Sequence, residues 1–200
     1  MTARPIAFSL TFVALFALSF AFMSAVDALP DPVGSVGTSN GTGPSQVIQI
    51  SNVEIAAPVR VAAKKIGLDV SVSNPADTNI DVLNEALLDG AVRYPTSALL
   101  GAEGTVLLFG HSSHLPIVRN QNFKAFNNIE KLKAGDTVSV YSGTTEYRYA
   151  VTSVRLANAE EDVVQLPSNG KYLALVTCDN FGTKSDRYVV EAEFVAAYAL

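Results

Sequence analysis

Three side chains of this 200-residue chain could together perform acyl transfer, provided the fold brings them to one place. Cys178 is the only thiol, His111 and His114 are the only imidazoles, and Arg187 opens the last apolar stretch. A thiolate beside imidazolium and guanidinium has a lowered pKa and attacks carbonyl carbon. Imidazole titrates near neutrality, so it can give and take a proton. Guanidinium can hydrogen-bond a developing oxyanion. Nucleophile, acid/base and oxyanion donor form an acyl-transfer set. Each residue also has a plainer reading by itself. Cys178 could be a small buried hydrophobe, His111 a hydrogen-bonded loop residue, and Arg187 a surface partner of Asp186 or Glu191. The His111-x-x-His114 pair with Cys178 has the donors for zinc, but it lies in a loop with no carboxylate cluster nearby.

Composition limits the alternatives. The net charge is −5, with 14 Lys plus Arg against 19 Asp plus Glu, which disfavours a nucleic-acid binder. One cysteine excludes an internal disulfide and a Cys-rich zinc site. Hydrophobic residues make up 48% of the chain and charged residues only 16%, against a usual share of about 25%. Disorder is therefore excluded for most of the chain, and part of it is expected in a membrane.

That part is the N-terminus. Pro5 to Val26 carries no charge. As a helix it would reach about 33 Å, enough for a hydrocarbon core of ~30 Å. Arg4 precedes it and no Lys or Arg follows until Arg60, which predicts a cytoplasmic N-terminus and an exported remainder. Residues 1–28 are read as a transmembrane anchor, or alternatively as a signal segment cleaved after Ala28. Residues 29–46 are rich in Gly, Pro, Ser and Thr and form a flexible linker. Within it, Asn40-Gly41-Thr42 has the form of a glycosylation acceptor but reads as a plain flexible tripeptide.

Residues 47–200 form one domain dominated by strand signals. The runs 59–63 and 68–72 are short and β-prone. Residues 104–109 and 172–178 are apolar on both parities, as in strands covered on both faces. Residues 136–141, 146–156 and 187–197 alternate. Val138 and Val140 share a side, as do Tyr147, Tyr149 and Val151, and Val190, Ala192 and Phe194. Residues 81–88 read as a short helix capped by Asp81, and 122–132 as a turn or two of helix through Phe123, Phe126, Ile129 and Leu132. Seven or eight short strands with so few helices predict a closed β-barrel or a sandwich.

The same residues resemble the sortases, membrane-anchored cysteine transpeptidases of the cell envelope. The likeness runs from about Ile55 to Phe194. Leu173-Ala174-Leu175-Val176-Thr177-Cys178 is similar to the family's segment ending in the nucleophile. Phe109-Gly110-His111-Ser112 is similar to its histidine strand end, and Asp186-Arg187-Tyr188-Val189-Val190 to its arginine strand. The stretch 90–98 with Gly101 to Gly104, and Phe126 to Gly135-Asp136, also resemble family segments. Two features depart from the pattern. Ala174 stands where many members have Thr or a bulkier residue, and Asp179-Asn180 follows the cysteine. A carboxylate at 179 would raise the thiol pKa if close.

The resemblance implies a closed sortase-type barrel of seven or eight strands with one to three short helices, behind a transmembrane helix. It implies that Cys178 attacks the Thr–Gly-type bond of an LPXTG-like sorting signal. Arg187 would stabilise the oxyanion, and His111 would protonate the leaving amine and deprotonate the incoming one. The partners would be surface proteins or pilins and an amine of the envelope or a pilin. Ser112 and Thr177 would contact substrate, and the segment 158–170 would wall the groove. Some relatives bind calcium near the groove. Here Glu160-Glu161-Asp162 reads as a solvated acidic turn, and no metal or other cofactor is expected. The rival readings are an envelope cysteine protease that only hydrolyses, and a non-catalytic barrel that binds sorting motifs.

Overall fold

The computed structural model describes residues 53–113, 115–157, 167–177 and 186–200. They form a closed barrel of eight strands: β1 (Arg60–Ala63), β2 (Leu68–Ser73), β3 (Ala91–Arg93), β4 (Gly104–Gly110), β5 (Thr137–Tyr141), β6 (Thr145–Ala157), β7 (Lys171–Thr177) and β8 (Arg187–Ala199). Their order around the barrel is β1-β2-β3-β4-β7-β8-β6-β5. Closure removes the sheet edges that would otherwise pair with other chains. It also decides between the barrel and the sandwich that the strand pattern leaves open. The expected anchor and linker lie outside the described residues. Among those residues no helix is long and apolar enough to cross a membrane.

The barrel interior follows from strand alternation. Val61, Val106, Leu108, Val138, Val140, Leu173, Leu175 and Val190 point inward with Tyr147 and Tyr149, and all are buried. The Tyr147 hydroxyl escapes isolation by donating to the Glu54 carbonyl at 2.8 Å. Burial pushes both phenols above their ordinary pKa, Tyr149 strongly.

A second cluster lies on the outer wall. Leu107 and Phe109 of β4, Ala174 and Val176 of β7, and Val189 of β8 face outward, yet all are buried. Part of their cover is α1 (Ile80–Leu87), which links the parallel strands β2 and β3 as a crossover must. Leu83 and Leu87, four apart, place one helix face on this wall and are almost fully buried, about 1.5–3 kcal/mol each by area. This double cover is why β4 and β7 are apolar on both parities. Asn79, rather than the expected Asp81, caps α1: its side chain accepts from the Asp81 amide at 2.9 Å. The helical periodicity over 122–132 is also broken. It resolves into two 3-10 turns, Gln121–Lys124 and Ile129–Lys131, separated by Asn128 at φ 71°. Strand β3, too short for an alternation signal, adds to the strands read from the sequence.

Gly110 ends β4 because the Phe126 ring lies against it. A Cβ there would stand 2.5 Å from Phe126 Cγ, and Phe126 is fully buried and cannot yield. Gly110→Ala is therefore expected to cost about 1–3 kcal/mol in denaturant unfolding. Equal stability of the two proteins would contradict this packing.

At the other end of the barrel, Glu146 accepts from Arg148 at 2.8 and 3.0 Å and from Ser139 at 2.7 Å. Arg148, then Ser139, holds its carboxyl below the ordinary range despite partial burial. A carboxyl depressed in the folded state stabilises above its unfolded pKa, and that contribution is lost as pH falls through the folded value. Glu146→Gln should therefore flatten the acid limb of a Tm-against-pH curve below about pH 4.3. An unchanged acid limb would remove Glu146 from the acid response.

Candidate active site

The site is assembled at the point where three paired strands end together. β4 and β7 run parallel in a register from Gly104–Lys171 to Gly110–Thr177. β8 returns antiparallel beside β7, with Val176 opposite Val189. His111 is the residue after Gly110, and Arg187 is the first residue of β8. Cys178 is the residue after Thr177 in sequence and lies outside the described residues, as do His114, Asp179 and Glu160-Glu161-Asp162. Alternation along β4 and β8 puts His111 in the outward row of Leu107 and Phe109, and Arg187 in that of Val189. The outward row is covered at this end of β8, and Arg187, which by itself could be a surface ion-pair partner, is half-buried.

His111 is held from several directions. It is only 3% exposed. Its carbonyl accepts from the Phe126 amide at 2.8 Å. Its ring lies 5.0 Å from the Phe123 ring at a tilt of 33°. Beyond it, Asn127 clamps the backbone of Ser113, accepting from its amide and donating to its carbonyl, both at 2.9 Å. Ser112 is half-buried between these fixed points. Thr177 is buried, and its Oγ1 accepts from the Tyr188 amide at 2.9 Å. That bond fixes the start of β8, and with it Arg187, against the end of β7.

Several positioning residues carry no signal that the sequence reading used. Arg93 sits in the apolar run of β3 with its guanidinium buried. It donates to the carbonyls of Tyr94, Pro95 and Ser97 and to Asn74 Oδ1, at 2.7 to 3.3 Å. Burial lowers its pKa from the ordinary arginine value. These bonds fix the chain after β3, where Tyr94 packs edge-on against Phe109 of the outer wall. Asn120 and Asn122 both donate to the Leu88 carbonyl, at 2.7 and 2.8 Å, tying the segment after His111 to the C-terminal end of α1. A lone arginine among apolar residues and a run rich in asparagine are the cues that could have found them.

Among the described residues, no group of His, Cys, Asp and Glu could hold a metal ion. The arrangement offers an imidazole at the end of β4 and a guanidinium at the start of β8, on either side of the end of β7.

Residues 61–195 match the Sortase domain family, and the chain belongs to that family. A curated relative, sortase A of Bacillus anthracis, is 30% identical over 113 residues, which are 56% of this chain and 50% of the relative. The chain thus spans about half the length of this relative. Sortase A of Listeria monocytogenes has the same fold, with a TM-score of 0.55 and 24% identity over 72% of this chain and 91% of that one. Sortase E of Streptomyces avermitilis follows at 0.52 and 22%, over 73% and 93%.

Thr177→Val keeps the volume but removes the acceptor for the partly buried Tyr188 amide. It should lower stability by about 1–3 kcal/mol, with Thr177→Ser recovering most of the loss. Denaturant unfolding of both variants checks this, and equal stability of the Val and Ser forms would dismiss the bond.

Proposed function

We propose that the chain is a sortase transpeptidase that cleaves an LPXTG-like sorting signal and transfers its acyl part to an amine. The reading rests chiefly on the registers of β4 with β7 and of β7 with β8. Continued by one residue, the first would set Cys178 beside His111, and continued by two, the second would set it beside Arg187. The Cys178 thiolate attacks the scissile carbonyl, and Arg187 hydrogen-bonds the oxygen as it becomes negative. His111 gives its proton to the departing amine, so the C–N bond breaks and a thioester remains on Sγ. The incoming amine loses a proton to His111 and attacks the thioester. The new amide forms, and the thiolate departs ready for another cycle.

Ser112, half-buried after His111, would contact substrate in this reading. Thr177 would contribute through its backbone, since its hydroxyl oxygen already serves Tyr188. The apolar run 5–26 serves in this reading as a single-pass anchor, with the N-terminus in the cytoplasm and residues 47–200 outside.

The test is turnover of a quenched panel of LPXTG-like peptides, with and without an added amine. The full chain should release the peptide's C-terminal part and form a conjugate when the amine is present. Cys178→Ala should lose about 10³-fold or more. Unchanged turnover in Cys178→Ala would overturn the reading. Hydrolysis without conjugate at any amine concentration would make the protein a protease.

A further inference from the structure

The segment that follows His111 turns its apolar side chains outward. Leu115 is 64% exposed, Ile117 87% and Phe123 37%, and Leu88, the residue after α1, is exposed as well. Hydrogen bonds gather these residues into one surface. Lys124 Nζ donates to the Pro116 carbonyl and Gln121 Nε2 to the Val118 carbonyl, both at 3.1 Å. Asn120 and Asn122 donate to the Leu88 carbonyl. The carbonyls of the loop are thus tied to the turn below it, while Leu115 and Ile117 are left in water. Single exposed apolar residues need no explanation, but a cluster held by its own backbone bonds marks a contact surface.

This surface is continuous with the candidate active site. The Phe123 ring lies 5.0 Å from the His111 ring and joins the imidazole to the exposed cluster. In the transpeptidase reading His111 gives its proton to the leaving amine, so the nitrogen side of the cleaved bond faces His111. The chain beyond that nitrogen then departs past Phe123. An extended peptide advances about 3.3–3.6 Å per residue. The second residue after the bond therefore lies over Phe123, and the third reaches the loop that Lys124 ties beside it.

We infer, resting on that reading, that Phe123, Leu115 and Ile117 select sorting signals with apolar side chains at the second and third positions after the cleaved bond. Two observations favour a peptide over a bilayer as the occupant. The cluster adjoins the imidazole, where the departing chain must pass. Its rim also carries the exposed Glu85 and Asp89 beside Leu88, against the exposed Arg119, whereas an anionic bilayer attracts an excess of cations.

The test offers the full chain in detergent an equal mixture of two peptides. They are identical through the Thr–Gly bond, followed by Leu-Leu in one and Ser-Ser in the other. The Leu-Leu peptide should be consumed about tenfold faster, and Leu115→Ser with Ile117→Ser should cut that ratio to about threefold or less. Both side chains are exposed, so the double variant should melt with the unaltered chain. If it melts early, Ile117→Ser alone should still lower the ratio about twofold. Equal consumption of the two peptides by the unaltered chain, or an unchanged ratio in the variants, would overturn the inference and leave the transpeptidase reading standing. Binding of the uncleaved peptides to Cys178→Ala, with and without the two Ser substitutions, separates the claims from the other side. A Leu-Leu preference in binding that depends on the loop, with no turnover by the unaltered chain, would uphold the surface and overturn the reading. The chain has no tryptophan, so Ile117→Trp reports on the loop alone. In phosphatidylglycerol vesicles its emission should remain that of an indole in water, and shift to shorter wavelength on adding the Leu-Leu peptide. Quenching by brominated lipid in the absence of peptide would assign the loop to a bilayer and overturn the inference.

Discussion

The parallel pairing of β4 with β7 is the constraint on which the rest of the structure depends. Parallel neighbours cannot be joined by a tight turn, so the chain between them must travel. It does so through the two 3-10 turns and the β5–β6 hairpin, which pairs with β1, and β7 and β8 then close the barrel between β4 and β6. The register then fixes which residues emerge together: Gly110 and Thr177 leave the sheet side by side. A slip of β7 by one residue would turn Ala174 and Val176 into the barrel and Leu173 and Leu175 onto the outer wall. The double apolar cover of both strands therefore sets stability and the location of the site at once.

The site is supported from outside the barrel as much as from within. α1 presses Leu83 and Leu87 onto the outer wall. Its C-terminal carbonyl at Leu88 receives Asn120 and Asn122, so the segment after His111 is tied to the helix. Phe126 fills the space above Gly110 and bonds the His111 carbonyl, while Asn127 secures Ser113. Thr177 holds Tyr188, and hence the start of β8. The imidazole and guanidinium thus stand on short backbone segments with little freedom, as a preorganised acid/base and oxyanion donor require.

Much of the fold was legible in the sequence because alternation and apolar content report burial directly. The inward rows of β5, β6 and β8 were readable from Val138 and Val140, from Tyr147 and Tyr149, and from Val190 and Ala192. The two-sided cover of β4 and β7 was readable from unbroken apolar runs. Closure was not, since a barrel and a sandwich share the same alternation. Nor was β3, three residues long, or the cap of α1, where Asn79 and Asp81 are both good acceptors and only the backbone path selects one. The periodicity of 122–132 misled because Asn128 adopts a left-handed conformation that ends one turn and starts the next. His111 and Arg187 were legible as chemistry by residue type and by their places at strand ends. The residues that position them, Arg93, Asn127 and Thr177, act through backbone carbonyls and amides, and sequence alone does not say which they reach.

The assignment of nucleophile to Cys178 is tested most directly by acid-quenching the full chain during turnover of an LPXTG-like peptide and mapping the covalent adduct by mass spectrometry. The mass of the peptide's acyl portion should appear on the peptide containing Cys178, and disappear on adding the amine acceptor. Turnover with no adduct, or with the adduct on another residue, would contradict acyl transfer through this thiol.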